Sequence, residues 1–156
     1  MKAIRPLTAK DLPRLIEFWK EQWGSEEMIV HGEVFRPEQL NGFITEDWSG
    51  VITYIIRDDS CEIISLNSLK ENQGMGTALI GRVANEAHQQ NCRRLFLVTT
   101  NDNLHALGFY QRHGFQLIAI RCGAVDEARK IKAGIPLMGM NDIPLRDEIE
   151  LEMLHP

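Results

Sequence analysis

The sequence has few cysteines, no excess of positive charge and no long apolar run. Its three cysteines, Cys61, Cys92 and Cys122, are odd in number, none lies within four residues of another, and the chain is large enough to fold without bridges, which favours reduced thiols over a disulfide or a metal site. A formal net charge of −5 offers nothing to a phosphate backbone, so nucleic acid is not an expected partner. No segment has the uninterrupted apolar length of a membrane helix or a signal peptide. These absences predict a cytoplasmic protein with reduced thiols and no membrane contact.

The composition is that of an ordinary globular domain. Hydrophobic residues make up 44% of the 156-residue chain and charged residues 25%, which argues against disorder and against a fibrous repeat. This length fits one domain, residues 1–156, with an apolar core that needs no disulfide or metal. His88, His105 and His113 lie on or near predicted helices without metal-ligand spacing, so no metal is expected.

Hydrophobic periodicity and turn residues predict a succession of helices and strands. The predicted helices cover residues 8–24, 74–90, 103–113 and 126–132. The predicted strands cover residues 3–5, 42–46, 51–57, 61–69, 94–100, 115–120 and 148–153, with 94–100 in the centre. This order indicates a mixed α/β (α+β) fold with a central twisted mixed sheet of about six to seven strands, flanked by helices.

Two other segments carry structural expectations. Residues 25–42 are irregular, which predicts a long loop with one helical turn after Arg36, and such loops often cover a site. In the last strand Glu148, Glu150 and Glu152 alternate with apolar residues, which predicts an acidic outer face that discourages edge-to-edge pairing. The long loops and this acidic strand permit a homodimer.

A glycine-bearing segment joins the strand at 61–69 to the helix at 74–90. Glycines allow backbone N–H groups to approach a ligand closely, and the N-terminus of the helix favours an anion such as a pyrophosphate. Gly76 is followed by Thr77 and Ala78, which excludes a Walker loop, and Leu79 stands where a dinucleotide fingerprint needs a third glycine. Taken alone, this glycine pattern also fits an ordinary strand-to-helix turn.

A second motif, Asn103-Leu104-His105-Ala106-Leu107-Gly108-Phe109-Tyr110, directly follows the central strand. Asn103, Ala106 and Tyr110 fall on one helix face. In order and spacing the two segments resemble the GNAT superfamily of N-acetyltransferases, whose Q/R-x-x-G-x-G/A loop is followed by an N-x-x-A-x-x-F/Y-Y element. The resemblance covers most of the chain, and residues 66–115 are its specific part.

The resemblance implies acetyl-coenzyme A as a co-substrate. Main-chain groups of Ser68 and Leu69 resemble those that pair with pantetheine where two strands splay apart. The residues that would cradle the pyrophosphate are Gln73, Gly74, Met75, Gly76 and Thr77. Asn103 would contact the cofactor arm, and the Tyr110 hydroxyl would protonate the leaving thiolate. The other interpretation of Tyr110 is an aromatic core residue whose hydroxyl finds any partner.

The sequence departs from the family pattern in one place. Glu71 stands where glutamine or arginine is usual, and the loop is about two residues shorter than is common in the family. A negative charge beside a pyrophosphate is unfavourable, so we expect weakened cofactor affinity but the same cofactor.

Acetyl transfer to an amine requires a base. An alkylammonium with a pKa near 10.4 is neutral in only about one molecule in 2,500 at pH 7. Glu62, on the strand beside the expected acetyl position, is the candidate base, and a solvated strand carboxylate is the alternative. A strand N–H near Leu69 would polarise the thioester carbonyl. Because none of the three cysteines falls in either motif, we expect direct attack in a ternary complex.

The acceptor is not specified by the sequence beyond an amine on a small molecule or a peptide. Trp23, His31, Glu33, Arg146 and Asp147 are candidates for its pocket, and a packed aromatic with solvated loop residues is the alternative. Two other functions fit the same motifs: a sensor module that binds acyl-coenzyme A without catalysis, and an enzyme for succinyl or longer acyl groups. Fold alone does not decide between them.

Overall fold

The computed structural model describes residues 3–69 and 74–156. Within these ranges the chain forms nine strands and four α-helices. In chain order they are β1 (Ile4–Pro6), α1 (Leu12–Trp23), β2 (Met28–Val30), β3 (Glu33–Phe35), β4 (Asn41–Thr45), β5 (Gly50–Arg57), β6 (Ser60–Ser68), α2 (Met75–Gln89), β7 (Arg94–Thr100), α3 (Leu104–Arg112), β8 (Gln116–Arg121), α4 (Ala124–Ile131) and β9 (Glu148–Leu154).

Seven of the described strands form one mixed sheet in the order β1-β4-β5-β6-β7-β9-β8. The β6–β7 pair is parallel and the other pairs are antiparallel. This confirms the predicted mixed fold. The described helices include none that is long and apolar enough to span a membrane.

Helices cover both faces of the sheet. Leu15, Phe18 and Trp19 on one face of α1 are buried in a cluster that includes Val51 and Ile64. On the opposite face, α2 packs in a second cluster whose sheet members include Ile52, Ile63 and Leu97. Neighbours in one strand, such as Val51 and Ile52, fall in different clusters because strand side chains alternate between faces.

The segment after α1 differs from the predicted long loop. Residues 28–35 form a separate two-stranded hairpin, in which Met28 pairs with Phe35 and Val30 with Glu33. Its turn is His31-Gly32, with φ angles of 42° and 81°, the left-handed values that a two-residue type I′ turn requires. Each strand has only three residues. Such strands are too short to show a periodicity in the sequence.

The prediction of an acidic outer face on the last strand is wrong. β9 lies between β7 and β8, and Glu148 and Glu150 are only 5% and 7% exposed. Glu150 pairs with Arg94 and Arg121 from the two neighbouring strands. Burial would raise the pKa of Glu150, but hydrogen bonds from Arg121 and Arg94 outweigh it and lower that pKa. Glu148 and Glu150 are therefore buried within the sheet, and Glu150 is paired with two arginines.

β6 and β7 separate before they end. They pair from Ser60 opposite Arg94 to Ile63 opposite Leu97, but β6 continues to Ser68 and β7 to Thr100. The two strands therefore splay apart over their carboxyl-terminal halves. This opening, with the starts of α2 and α3 beside it in the chain order, positions the site.

Candidate active site

A cavity of about 770 Å³ occupies the opening between β6 and β7. Met75 and Tyr110, from the cluster on the α2 face, line it. Met28, Val30 and Ile64, from the cluster on the α1 face, line it as well. The cavity therefore passes through the sheet and can admit two molecules from opposite sides.

The main chain of β6 supplies one wall, but the amide of Leu69 does not point into it. The Leu69 N–H donates to the carbonyl oxygen of Ser49 at 2.8 Å, on the β5 side. This hydrogen bond occupies the Leu69 N–H that was expected to polarise the thioester carbonyl, although Leu69 itself lines the cavity. Because alternate strand residues direct their N–H groups to opposite edges, the main-chain groups of Ser68 and Leu66 point toward β7.

The start of α2 forms the end of the cavity where an anion would bind. Gly74 precedes the helix with a left-handed φ of 68°, a conformation that glycine adopts without strain. A Cβ on Gly76 would lie 3.0 Å from Cζ of Phe109, so glycine permits α3 to pack closely here. The first-turn N–H groups of Gly76 and Thr77 have no intrahelical acceptor and are suited to an anion. Gln73 and Glu71 lie outside the described residues.

Thr77 contacts a residue that the motifs did not reveal. Its hydroxyl Oγ1 lies 2.7 Å from Nε2 of His113, and Nδ1 of the same ring lies 2.7 Å from the Phe109 carbonyl oxygen. The carbonyl can only accept, so Nδ1 carries a proton. His113 thereby joins the start of α2 to the end of α3. The two side chains are 36 residues apart, so no local pattern could have indicated the contact.

Asn103 has a structural role and faces the cavity. Its Oδ1 accepts the N–H of Ala106 at 3.1 Å and caps α3. Because the oxygen serves the helix, the amide nitrogen is the part of this side chain that a ligand can use.

The Tyr110 side chain is enclosed beside the cavity. The residue is only 8% exposed and packs edge-on against Phe109 and Phe115, with ring centroids 5.4 and 5.5 Å apart. Burial raises the pKa of the Tyr110 phenol above its ordinary value. The phenol therefore keeps its proton at neutral pH, as a proton donor must.

Glu62 is buried and does not belong to the cavity lining. It is only 2% exposed, so the solvated-carboxylate interpretation is wrong. Nε2 of His31 donates to both of its oxygens, at 2.8 and 3.1 Å, and Arg57 lies 3.7 Å away. This hydrogen bond from His31 to Glu62 raises the pKa of His31 above its ordinary value. The imidazole of His31 is therefore the described group hydrogen-bonded to Glu62.

The hairpin turn also contacts a second carboxylate. The N–H of His31 donates to Oε2 of Glu148 at 3.1 Å, and Glu148 lines the cavity. Glu148 was predicted to face solvent, so its place here was missed. The contact spans 117 residues and has no signal in the sequence.

The remaining candidates for the acceptor pocket divide into two groups. Trp23 lines the cavity, and its indole N–H donates to Oδ1 of Asn67 at 3.2 Å. Glu33 forms an ion pair with Arg57. The main-chain N–H groups of Arg146 and Asp147 both donate to Oδ1 of Asn101. Within the described ranges, the cavity lining includes none of these last three candidates. No group of three or more potential metal ligands occurs among the described residues.

A cavity that crosses the sheet at a splayed parallel pair, with an anion-binding helix start beside it, fits an acetyltransferase. The sequence model of the acetyltransferase (GNAT) family matches residues 9–115, and the chain belongs to this family. The resemblance seen in the two motifs is thus confirmed.

Two bacterial proteins are similar in sequence over most of their length. The uncharacterized protein YxbD of Bacillus subtilis (strain 168) is 43% identical over 138 residues, 86% of this chain and 87% of that protein. The uncharacterized protein YdhI of the same strain is 44% identical over 139 residues, with the same coverage. Both relatives are named as uncharacterized, so these similarities do not identify a reaction.

Solved structures share the fold. A GNAT family acetyltransferase from Elizabethkingia anophelis with acetyl-CoA bound has a TM-score of 0.71 at 23% identity, covering 97% of both chains. A Bacillus subtilis acetyltransferase in complex with CoA has a TM-score of 0.70 at 18% identity, covering 99% of both. At these identities the comparison establishes the architecture only.

Proposed function

We propose that this chain is an acetyl-CoA-dependent N-acetyltransferase that acetylates a primary amine of a small molecule or peptide by direct attack in a ternary complex. The observation that carries the proposal is the cavity between β6 and β7, which is open to both faces of the sheet and lined by Tyr110. Two substrates can therefore meet at one point without a covalent intermediate on the protein.

The α2 side of the cavity is the proposed cofactor side. The N–H groups at Gly76 and Thr77 would bind the pyrophosphate, with Gly74 shaping their approach. Main-chain groups of Ser68 would pair with the pantetheine arm, and the amide nitrogen of Asn103 would contact it. Gln73 stays a predicted contact. Acetyl-CoA supplies an activated acyl carbon and a thiolate leaving group.

Tyr110 is the proposed general acid. A tyrosine phenol is protonated at neutral pH, and burial raises the pKa of Tyr110 further. The residue lines the cavity together with Gly74 and Gly76. Donation of this proton to the leaving sulfur would avoid release of a free thiolate into an apolar pocket.

Glu62 is the proposed base, with His31 as its link to the amine. The ammonium must lose a proton before attack, and among the described residues Glu62 accepts its hydrogen bonds from the partly exposed His31 ring. We therefore propose that the proton moves through His31 or an adjacent water. A catalytic cysteine is not needed: among described residues, none of the three thiols lines the cavity, and burial raises the pKa of Cys61 to about 12.

A binding measurement followed by a turnover measurement tests the proposal. Acetyl-CoA should stabilise the folded chain by about 2.7 kcal/mol at one hundred times its dissociation constant. A panel of primary amines, with detection of released thiol and of the acetylated amine by mass spectrometry, should then give turnover. Binding without turnover across the panel would favour the sensor function, and failure to bind at millimolar concentration would contradict both.

A further inference from the structure

We propose that Glu148 recognises the acceptor and that the acceptor is a primary alkylammonium ion whose charge this carboxylate balances. This inference rests on the proposed acetyl transfer and names the substrate class of the same site. Glu148 would bind the ammonium before it loses its proton to the base. It would determine which amines enter, without taking part in the acyl step.

The carboxylate of Glu148 is buried, and only one of its two oxygens has a hydrogen-bond partner among the described residues. Glu148 is 5% exposed and opens β9 at the cavity wall. One oxygen, Oε2, accepts the N–H of His31 at 3.1 Å. The other, Oε1, is enclosed and has no hydrogen-bond partner among the described residues. A buried carboxylate oxygen without a partner costs free energy. A rotation of the Glu148 side chain that turns Oε1 into the cavity would let a donor bound there recover this cost.

No cation of the described chain balances this charge. Arg121, which lies opposite Glu148 in the β8–β9 pairing, pairs with Glu150 instead. Lys132 also lines the cavity, but its Nζ donates to the main-chain oxygen of Glu27 at 3.3 Å. No described basic side chain lies within ion-pair distance of Glu148. A ligand with a positive charge and N–H donors supplies both missing elements.

Glu148 lies on the side from which the acceptor would enter. In the sheet register, Phe96 lies opposite Glu62 on one side and opposite Glu152 on the other, so these side chains project from the same face. Alternate residues of a strand share a face, so Glu148 and Glu150 are on this face as well. Tyr110 and the start of α2 belong to the cluster on the opposite face. The cofactor and the charged end of the acceptor would thus approach the opening from opposite sides.

The walls around Glu148 indicate what carries the ammonium. The cavity lining near the hairpin and the segment before β9 includes the apolar Trp23, Met28, Val30, Ile135 and Met140, beside the polar Gln22, Glu27 and Lys132. An aliphatic stem would bury apolar surface against these walls, and its ammonium would meet the carboxylate. The structure therefore favours an alkylammonium over a neutral or anionic nucleophile.

The test measures binding to the full chain saturated with CoA, by NMR titration with two probes. One probe is n-butylammonium, and the other is butanehydrazide, an uncharged nucleophile of similar size at neutral pH. Wild type should bind n-butylammonium more tightly. Glu148→Gln should weaken n-butylammonium roughly thirtyfold or more and leave the hydrazide unchanged, because only the charge pair is lost.

Two matched variants complete the experiment. Glu148→Gln keeps an oxygen for the His31 N–H, so the hairpin contact is preserved. Glu152→Gln removes a carboxylate from the same strand and face, which pairs with Arg94 outside the cavity lining, and should bind n-butylammonium like wild type. Glu148→Asp keeps the charge, should retain the preference for the charged probe, and serves if the glutamine variant does not fold.

The outcomes separate this inference from the proposed function. Equal affinity of wild type for the two probes, or unchanged n-butylammonium binding in Glu148→Gln, overturns the role of Glu148. Failure of CoA to bind in the first titration instead contradicts the acetyl-transfer proposal. In kinetics, Glu148→Gln should raise KM for alkylammonium acceptors far more than it lowers kcat, a division that a merely structural defect would not produce.

Discussion

Nε2 of His31 donates to the buried carboxylate of Glu62 at 2.8 Å, across the space between the hairpin turn and the central sheet. The His31 N–H donates at the same time to Glu148. One residue of a tight turn thus holds two carboxylates on the same face of the sheet. The hairpin is fixed over the acceptor side by these two contacts, and its position depends on the protonation of His31.

This contact predicts a pH-dependent stability. The hydrogen bond to Glu62 raises the pKa of folded His31 above its ordinary value of 6.5. The folded protein therefore holds the proton more tightly than the unfolded chain does. Its contribution to stability is complete below the ordinary pKa and is lost as the pH rises through the folded-state pKa.

We expect the stability difference between wild type and His31→Gln to be largest in acid and to shrink above neutral pH. Glutamine keeps a donor for Glu62 but cannot carry the charge. Urea unfolding of both variants across this range measures the difference, and an NMR titration of the imidazole locates the pKa. A difference that is constant with pH would mean that His31 binds its proton equally well in the folded and unfolded chains, which would contradict the raised pKa.

Removal of the Tyr110 hydroxyl should affect turnover and spare cofactor binding. If the phenol protonates the leaving thiolate, Tyr110→Phe should lower kcat by about 10²–10⁴-fold, the usual contribution of a general acid. The dissociation constant of CoA should not change, because the ring and its packing remain. Steady-state kinetics and a CoA titration make the two measurements.

The chain contains a matched control for this substitution. Tyr54, the other of the chain's two tyrosines, is 5% exposed, and burial raises its pKa to about 12, yet it does not line the cavity. Tyr54→Phe should therefore retain wild-type kcat. Equal losses in the two variants would show that a buried hydroxyl matters for stability and not for proton transfer.

The parts of the fold that the sequence predicted are those encoded locally. In α2 the buried residues Leu79, Ile80, Val83 and Ala87 recur with helical spacing, and β7 is a continuous apolar run. The insertion of β9 between β7 and β8 has no local signal, because strand order depends on pairing between distant segments. Considered as an isolated sequence, the alternating glutamates of β9 fit a solvent-exposed edge strand equally well. The ion pairs of Glu150 with Arg94 and Arg121 on the neighbouring strands distinguish the internal position from the edge.

The site divides in the same way. Tyr110 and the glycines at the start of α2 lie in motifs with fixed spacing, so they were predicted and do line the cavity. Glu148 joins the site through the turn of a hairpin whose strands are too short to recognise, and His113 joins it through a single contact with Thr77. The acceptor side is built from such long-range contacts, which is why the sequence left it open.

Thiol labelling tests the absence of a covalent acyl-enzyme. Cys61 and Cys92 are buried, and burial raises the pKa of both thiols, whereas Cys122 is exposed. Because thiolates react and buried thiols are shielded, an alkylating reagent at neutral pH should modify Cys122 alone in the folded protein. The labelled protein should keep its turnover number. Inactivation that follows the labelling of Cys61 or Cys92 would contradict direct transfer.

The lack of a side chain at Gly139 allows Asp102 to pack closely against the segment that carries Met140, which lines the cavity. A Cβ at this position would lie 2.2 Å from Oδ2 of Asp102, which is buried and accepts the N–H of Met140 at 2.8 Å. Gly139→Ala should therefore displace Asp102 and Met140, a residue that lines the cavity. We expect a loss of about 1–3 kcal/mol in the free energy of unfolding, as for other overpacked sites.

The kinetic effect of Gly139→Ala should fall on the acceptor. KM for the amine should rise more than the CoA dissociation constant, because Met140 lines the cavity at the displaced segment, whereas the pyrophosphate would bind at the start of α2. Gly134→Ala is the matched control, since a Cβ there meets nothing within 4 Å. If both alanine variants behave alike, the Asp102 contact does not shape the pocket. A selective effect of Gly139→Ala would place the acceptor against Met140, since steric displacement of that wall is the one change that separates the two variants.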